Sequence, residues 1–334
     1  MLGKNIKIHL RRVIEDWAAS VENEEIKNII LNEVIITGGA IVSLLQNEEP
    51  NDYDVYIRDI DSLIKLATYY VNSFTDEDKR ANVFVQRCRW DDENEKWLPN
   101  PVEKSKDDRV RVFVRSRGAT GEDFDSYSDN TLEYRNSLKA INSDIKKKNR
   151  DTKPKDRKPY RVKFLTNNAI SLSDKIQIVM RFHGEPEQIH ENYDFVHCCS
   201  YYTIWNDRLE LPSRALEAIL NKELHYVGSK YPLCSIIRTR KFMKRGWHIN
   251  AGQYVKMALQ LNELNLRNIH VFEEQLIGVD STYFDWLIDA IKGENLEKAD
   301  TTYLISLIDQ VFEEKQIDAA NNMCEDDVDE NTDI

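Results

Sequence analysis

The sequence predicts an α+β protein in which a mixed α/β head is followed by an all-helical domain. Two observations support this division. Up to about residue 210, short strand patterns alternate with amphipathic helical patterns, and from Ser213 onward the apolar spacing is helical. We therefore predict a head over residues 1–210, a helical domain over 211–318 and an acidic, disordered tail over 319–334.

The head begins with a predicted amphipathic helix over residues 5–19, followed by a short buried strand, VIIT, over 34–37. Gly38 and Gly39 then predict a tight turn into the apolar segment AIVSLL. The alternating segment NDYDVYI predicts a second strand over 51–57. We further predict a helix over 61–74 and strands within 81–90, 109–116, 160–166 and 176–182.

Residues 91–160 form a charged insertion, for which we predict two loops flanking a short strand and mobile at their tips. Its last part carries eight basic residues: Lys146, Lys147, Lys148, Arg150, Lys153, Lys155, Arg157 and Lys158. This run either clamps RNA or forms a self-repelling loop, and the loop is the commoner explanation. Beyond the head, helices are predicted near 213–225, 232–245, 251–264, 280–292 and 302–314.

Composition narrows the class of protein. The chain has 334 residues and five cysteines without a C-x-x-C pair, which is typical of reduced cytosolic thiols. Charges recur through the first 17 residues, so they predict neither a signal peptide nor a membrane span. The net charge of -12 argues against non-specific nucleic-acid binding by the whole surface and leaves room for a local basic groove. We expect a soluble, cytoplasmic protein that does not bind membranes, and its oligomeric state stays open.

The most informative local pattern joins Gly38-Gly39, after one strand, to Asp52-Tyr53-Asp54 on the next. Residues two apart on a strand share a face, so Asp52 and Asp54 would present two carboxylates side by side. Mg²⁺ or Mn²⁺ would relieve their repulsion and keep positions for substrate phosphates. The glycines allow a backbone turn to approach a polyphosphate, and the following helix start favours anions.

Together these parts predict nucleotidyl or phosphoryl transfer from an NTP by a two-metal mechanism, with Asp52 and Asp54 as metal ligands. Taken alone, a D-x-D is more often a solvated strand face, and a G-G is usually a turn. Their combination within a short stretch of sequence is much rarer and favours a site.

Four segments resemble class II tRNA nucleotidyltransferases and poly(A) polymerases, which belong to the DNA-polymerase-β-like nucleotidyltransferases. These segments are TGGAIVSLLQNEEPNDYDVYI (37–57), IHENYDFVHCCSYY (189–202), LPSRALEAILNKELHYVGS (211–229) and YPLCSIIRTRKFMKRGWHI (231–249). The resemblance implies a polymerase-β-like head with a helical neck and body. It also implies that the chain is a divergent phage or bacterial member of the family. If a phage encodes the protein, the resemblance implies that it acts in the cytoplasm of the host. It also implies nucleotide contacts from Gly38, Gly39, Arg238, Arg240 and Lys244, with Asp194 as a third catalytic carboxylate.

The chain departs from that family at several positions. The arginine and aspartate that follow G-G in the family are Val42 and Ser43 here. Lys230 and Tyr231 stand where the family has its base-selecting E-D pair, and Ile237 stands where the family has the first arginine of the helix that follows. These departures argue against CCA addition and favour another acceptor, which is RNA or tRNA, a protein or a small molecule.

Several residues have two interpretations. Asp194 is either a supporting carboxylate or sugar contact, or a helix-start aspartate that caps backbone N–H groups. Arg238, Arg240, Lys241, Lys244 and Arg245 either hold triphosphate or form a solvated helix face. His183, His190 and His197 match no standard zinc spacing, so a zinc site there is disfavoured.

Two functions follow from this reasoning. The first is an active enzyme that moves NMP from an NTP to a hydroxyl acceptor. The second is a catalytically inactive protein that keeps the nucleotidyltransferase fold for binding or assembly. The intact pair Asp52 and Asp54 favours the enzyme.

Overall fold

A computed structural model describes residues 3–74, 83–91, 96–99, 102–105, 107–114, 132–166, 168–266, 271–272 and 275. The chain divides into two compact units, Met1–Val227 and Gly228–Ile334. The boundary between these units follows Val227 and is therefore C-terminal to the predicted boundary, which follows residue 210. The protein is a mixed α+β molecule.

The first unit begins with helices α1 (Gly3–Ala19) and α2 (Glu24–Glu33), followed by strand β1 (Val34–Thr37), helix α3 (Gly39–Leu45), strand β2 (Tyr53–Ile57) and helix α4 (Ile60–Phe74). The predicted helices over 5–19 and 61–74 and the strand over 34–37 are confirmed. Helix α2 was not predicted, although its N-cap is a plain signal, because the Asn23 side chain accepts hydrogen bonds from Glu25 N and Ile26 N.

The remaining strands and helices of this unit are β3 (Val83–Asp91), β4 (Lys96–Pro99), β5 (Arg109–Val114), α5 (Leu132–Asp151), β6 (Val162–Leu165), β7 (Ala169–Leu172), β8 (Ile176–Val179), α6 (Pro186–His190), β9 (Tyr201–Thr203), β10 (Arg208–Glu210), α7 (Ser213–Asn221) and β11 (Glu223–Leu224). Short 3-10 turns lie at Pro154–Asp156 and Val196–Cys198. The strands predicted at β3, β5, β6 and β8 are confirmed, whereas β4, β7, β9, β10 and β11 were not predicted.

In the described part of the chain, seven strands form one mixed sheet in the order β10-β9-β1-β2-β8-β7-β6. All neighbours are antiparallel except β2 and β8, which run parallel. Among the described residues, a second antiparallel sheet has the order β4-β3-β5. The parallel pair places the first residues of β2 and β8 side by side.

The two faces of the large sheet differ in what covers them. One face packs against α1, α2 and α4 in the main core, which includes Ile36, Val55 and Ile178. Trp17 of α1 is fully buried there and donates a 2.6 Å hydrogen bond to Tyr70 Oη. The other face carries a small apolar cluster, built on Ile35 and Tyr56, beside a polar region.

Helix α5 corrects the prediction that residues 91–160 are two loops around a short strand. It extends over 20 residues that include Lys146, Lys147 and Lys148. Leu138, Ile141 and Ile145 recur at helical spacing and pack against the main core. The many charges conceal this apolar stripe in the sequence.

Side chains of α5 also cover the edge strand of the large sheet. Asn142 Nδ2 donates to Leu165 O, and Leu165 N donates back to Asn142 Oδ1, both at 2.8 Å. One heptad later, Asn149 Nδ2 donates to Val162 O at 2.9 Å. These bonds occupy part of the exposed edge of β6, which would otherwise be open to pairing with another chain.

The second unit contains α8 (Pro232–Lys244), β12 (His248–Ile249) and α9 (Ala251–Asn262). The helices predicted near 232–245 and 251–264 are confirmed, as is the helix near 213–225 in the first unit. The predicted helices near 280–292 and 302–314 and the predicted tail lie outside the described residues. Within the described ranges, no helix combines the length and the apolar character needed to cross a bilayer.

Candidate functional site

The turn between β1 and α3 is built around Gly38. Its φ of 87° and ψ of -143° lie in a region that side chains other than glycine rarely adopt. Gly38 N donates to Cys198 O at 3.2 Å, which fixes the turn on the neighbouring segment. Gly39 begins α3 and is exposed, and a Cβ placed on it would meet no atom within 4 Å. The turn therefore leaves open space above its second glycine.

The two predicted carboxylates lie at the start of β2. Asp52 is exposed and precedes the strand, which begins at Tyr53 rather than at residue 51 as predicted. Asp54 is half-buried on the strand, and its Oδ2 lies 3.6 Å from the position that a Gly38 Cβ would take. Tyr53 is buried and its hydroxyl bonds His9 at 2.6 Å. The structure thus brings Gly38 and Asp54 together, with Asp52 next to them in the chain.

A glutamine that the sequence reasoning missed lies beside Asp54. Gln177 on β8 is the register partner of Asp54, and its Nε2 donates to Asp54 Oδ1 at 3.2 Å. Ser171 on β7 is the next partner in line, and its hydroxyl lies 3.5 Å from Gln177 Oε1. The parallel pairing of β2 and β8 creates this contact, and no local sequence signal marks it.

Tyrosine and histidine side chains enclose the site on the same face of the sheet. Tyr193 Oη lies 3.6 Å from the Cβ position of Gly38 and donates to Tyr56 Oη at 3.3 Å. His190 Nε2 lies 2.8 Å from Thr37 Oγ1, and the rings of His190 and Tyr193 are 4.9 Å apart. Because the Thr37 hydroxyl donates to Ser200 O at 2.9 Å, we place the His190 proton on Nε2, from which it is donated to Thr37.

Burial controls the charge state of these groups. It lowers the pKa of His190 to about 4, against the opposing effect of the Glu187 carboxylate, so the imidazole is neutral near pH 7. Burial also raises the pKa of Tyr193 well above its ordinary value, and nearby Tyr56 and the Asp54 carboxylate act in the same direction. His190 and Tyr193 are therefore neutral near pH 7.

Asp194 is buried in the segment between α6 and the 3-10 turn that follows it. Its backbone O accepts a hydrogen bond from Val227 N at 2.9 Å. Burial lowers the pKa of His197 to about 4, against the opposing effect of the Asp194 carboxylate. Among the described residues, no three His, Cys, Asp or Glu side chains form a group able to hold a metal ion. The role of Asp194 as a third catalytic carboxylate stays a prediction.

The basic residues that the resemblance implied for nucleotide binding belong to helix α8 of the second unit. Arg238 and Lys244 are exposed, and Arg240 is partly buried. Of the three histidines weighed for zinc, His183 has its Nε2 3.1 Å from Asp108 O. The nucleotide contacts of Arg238, Arg240 and Lys244 stay predictions.

Comparison with known proteins gives the family. Residues 9–222 match the family described as Gabija anti-defense 2 family protein. The chain belongs to this family. It is 20% identical over 285 residues to the Gabija anti-defense 2 protein of Bacillus phage SPbetaL7, covering 84% of this chain and 51% of that protein. The chain thus spans about half the length of the curated relative that it matches.

A weaker likeness to a solved structure accompanies this match. The Thermotoga maritima CCA-adding enzyme in complex with tRNA aligns with 98% of this chain and 52% of its own, at 10% identity and a TM-score of 0.38. A score of that size does not establish a shared fold. The family match includes β1, the Gly38 turn, β2 and Asp194, so the candidate site lies within the matched part of this Gabija anti-defense 2 family member.

The donor set of the site suits a hard divalent cation. Asp52 and Asp54 offer carboxylate oxygens, and Gln177 bonds Oδ1 of Asp54, whereas Oδ2 lies on the side of the glycine turn. Oxygen ligands are those that Mg²⁺ and Mn²⁺ prefer, and Mg²⁺ characteristically takes one or two carboxylates and completes its shell with water and phosphate. The residues therefore fit such an ion.

Proposed function

We propose that this protein transfers a nucleoside monophosphate from an NTP to a hydroxyl acceptor at Asp52 and Asp54, with Mg²⁺ or Mn²⁺ as cofactor. A polymerase-β-like head with a helical neck and body is part of this proposal. The observation that carries it is the close approach of the Gly38 turn to Asp54 Oδ2, with open space above Gly39. A polyphosphate needs backbone N–H groups without a side chain in front of them, next to carboxylates that hold its counter-ion.

Each residue has a specific role in this transfer. The bound cation would neutralise charge on the triphosphate and the leaving pyrophosphate. Asp52 and Asp54 would hold this cation, and Gln177 fixes the orientation of the Asp54 carboxylate. The acceptor oxygen bonds to the α-phosphorus as the bond to pyrophosphate breaks, and positioning supplies most of the rate. The neutral imidazole of His190 and the tyrosine hydroxyls line the site without competing for the cation.

The acceptor is an RNA such as tRNA, a protein or a small molecule, and Arg238, Arg240 and Lys244 are proposed to contact the nucleotide. Asp194 directly follows Tyr193, is buried, and accepts a backbone hydrogen bond from Val227; it is proposed to support the site by holding this segment in place. Because the family is named for anti-defense, we further propose that the transfer acts against the Gabija defense in the cytoplasm of the phage host.

A second candidate is an inactive protein that counters the defense by binding alone. Two observations favour it. Lys230 and Tyr231 replace the base-selecting E-D pair of the family that the sequence resembles. Among the described residues, moreover, no three His, Cys, Asp or Glu side chains form a group able to hold a metal ion.

The deciding experiment measures incorporation of each α-³²P-labelled NTP in Mg²⁺ or Mn²⁺, with total RNA, host protein extract and the protein itself as acceptors. Wild type is compared with Asp52→Asn/Asp54→Asn and with the control Asp16→Asn/Asp107→Asn, in which both altered residues are exposed. We expect incorporation by wild type and the control, and none by the site variant. The labelled species identifies the acceptor.

A plating assay relates this chemistry to anti-defense. Phage is plated on cells that carry the Gabija defense and express wild type, the site variant or the control. Loss of phage rescue in the site variant alone supports the transferase. Rescue by a site variant that incorporates no label would instead establish the binding protein.

A further inference from the structure

One segment of the first unit carries charge of the opposite sign to the rest of the chain. Residues 146–158, which we call the basic surface, contain eight basic residues and two acidic ones, although the chain has a net charge of -12. The basic side chains all belong to exposed residues: Lys146, Lys147, Lys148, Arg150, Lys153, Lys155, Arg157 and Lys158. The two acidic residues are Asp151 and Asp156.

The basic surface is held on a packed scaffold. Its first half is the last part of α5, where Ile145 is 2% exposed and Asn149 bonds the edge strand. The chain then passes through the 3-10 turn and enters β6, with Arg157 Nε donating to Thr152 O. Packing therefore concentrates like charges that would repel one another in a free loop, which is the arrangement expected when a polyanion binds there.

The register of the sheet shows where the basic surface lies relative to Asp54. Asn142 of α5 pairs with the end of β6 and Asn149 with its beginning, so α5 runs antiparallel to β6 and residues after 149 extend past the start of that strand. The start of β6 pairs with the end of β7. The end of β7 pairs with the start of β8, and the start of β8 pairs with the start of β2. The basic surface and Asp54 thus lie at the same end of the sheet. Three strand spacings, roughly 14 Å, separate β6 from β2.

The composition of the basic surface selects its partner. Protein–protein interfaces are depleted in lysine and have an apolar centre, whereas phosphate backbones are contacted mainly by lysine and arginine. Residues 146–158 contain six lysines, two arginines and no large apolar side chain. The exposed ion pair between Lys158 and Glu22, at 3.2 Å, is readily exchanged for a phosphate contact.

We infer that the basic surface binds the phosphate backbone of a nucleic-acid strand. The binding itself does not require transferase activity. One consequence rests on the proposed function: a strand held there has its terminus within reach of Asp52 and Asp54, which makes a nucleic acid the acceptor.

The test is fluorescence anisotropy of the full chain with 5′-labelled 20-nucleotide RNA, single-stranded DNA and duplex DNA over a salt series. Wild type is compared with Lys146→Glu/Lys147→Glu/Arg150→Glu. The matched control, Lys4→Glu/Lys65→Glu/Arg208→Glu, alters net charge equally at exposed sites, one of them on strand β10 at the opposite edge of the sheet. Circular dichroism and thermal melting verify that each variant folds. If Lys146→Glu/Lys147→Glu/Arg150→Glu does not fold, the variant with glutamine at the same three positions takes its place.

We expect wild type and the control to bind and the basic-surface variant to bind at least tenfold more weakly near 100 mM salt. Its slope of log affinity against log salt falls by about 0.7–0.9 for each phosphate that the variant no longer neutralises. Comparison of the affinities for RNA and for DNA shows whether the basic surface prefers ribose or deoxyribose. Absence of wild-type binding to every strand, or equal weakening in the control, overturns the inference. Binding without NMP incorporation leaves the inference standing and removes only the proposed transfer.

Discussion

Gln177 Nε2 donates a 3.2 Å hydrogen bond to Asp54 Oδ1 across the parallel strands β8 and β2. This contact holds the carboxylate in one orientation, with Oδ2 towards the Gly38 turn. The register partner of Asp54 on the neighbouring strand is therefore a neutral amide.

Replacing this amide by an acid tests whether Asp54 faces a bound cation. In Gln177→Glu, two carboxylates oppose each other across the strand pair, and we expect the free energy of unfolding to fall by about 1 kcal/mol without divalent ions. Mn²⁺ should then raise the melting temperature more than it does in wild type, because an ion bound only by the folded state stabilises it. The control Gln177→Met removes the hydrogen bond and adds no charge, so it should show no extra gain. Equal responses of all three proteins to Mn²⁺ would show that Asp54 faces no ion.

Alanine at each glycine of the turn separates folding from ligand binding. Gly38→Ala should cost about 2 kcal/mol, because φ of 87° with ψ of -143° is strained for a residue with a Cβ. Gly39→Ala should be as stable as wild type or slightly more so, since alanine favours the helix. Its methyl group would nevertheless fill the open space above the turn and weaken NTP binding. Thermal melting and calorimetric NTP titration measure the two effects, and full NTP affinity in Gly39→Ala would contradict the proposed phosphate position.

Acid should destabilise the protein partly through His190. Burial lowers its folded pKa to about 4, below the ordinary value of 6.5, so the unfolded chain binds the additional proton between these values. Stability from this group is therefore complete above pH 6.5 and is lost as the pH falls towards 4. His190→Gln lacks this imidazole, so its free energy of unfolding should fall less on acidification. The difference in free energy of unfolding, wild type minus His190→Gln, should therefore decrease by about 2 kcal/mol over this range. Chemical denaturation at several pH values measures it. The exposed His248→Gln is the control, and a constant difference between wild type and His190→Gln would refute the assignment.

The edge of the sheet should depend on Asn142. Asn142→Ala removes two reciprocal hydrogen bonds to Leu165, each contributing about 1 kcal/mol, and opens the edge of β6. We expect lower stability, faster hydrogen exchange at the Leu165 amide and greater self-association. The neighbouring exposed Ser143→Ala should change none of these. Unchanged exchange at Leu165 would mean that the edge is protected by other contacts.

Local pattern alone was enough to predict the elements that carry the candidate site. The run VIIT, the double glycine and the alternation around Asp54 each depend on near neighbours in the chain, and β1, α3 and β2 form where expected. Local pattern did not predict α5, because charged residues conceal the stripe of Leu138, Ile141 and Ile145. It also placed Asp52 on the strand, which begins one residue later.

The sequence by itself determined that a flexible glycine turn and two carboxylates occur on consecutive elements of an α+β chain, because backbone conformation and strand periodicity are local properties. Only the tertiary structure decided which residues surround them. Gln177 meets Asp54 because β8 pairs parallel with β2, and Tyr193 reaches Gly38 from a segment far along the chain. The basic run became a fixed surface at the same end of the sheet because Asn142 and Asn149 dock α5 on β6. Such pairings depend on contacts between segments distant in sequence, which no local pattern encodes.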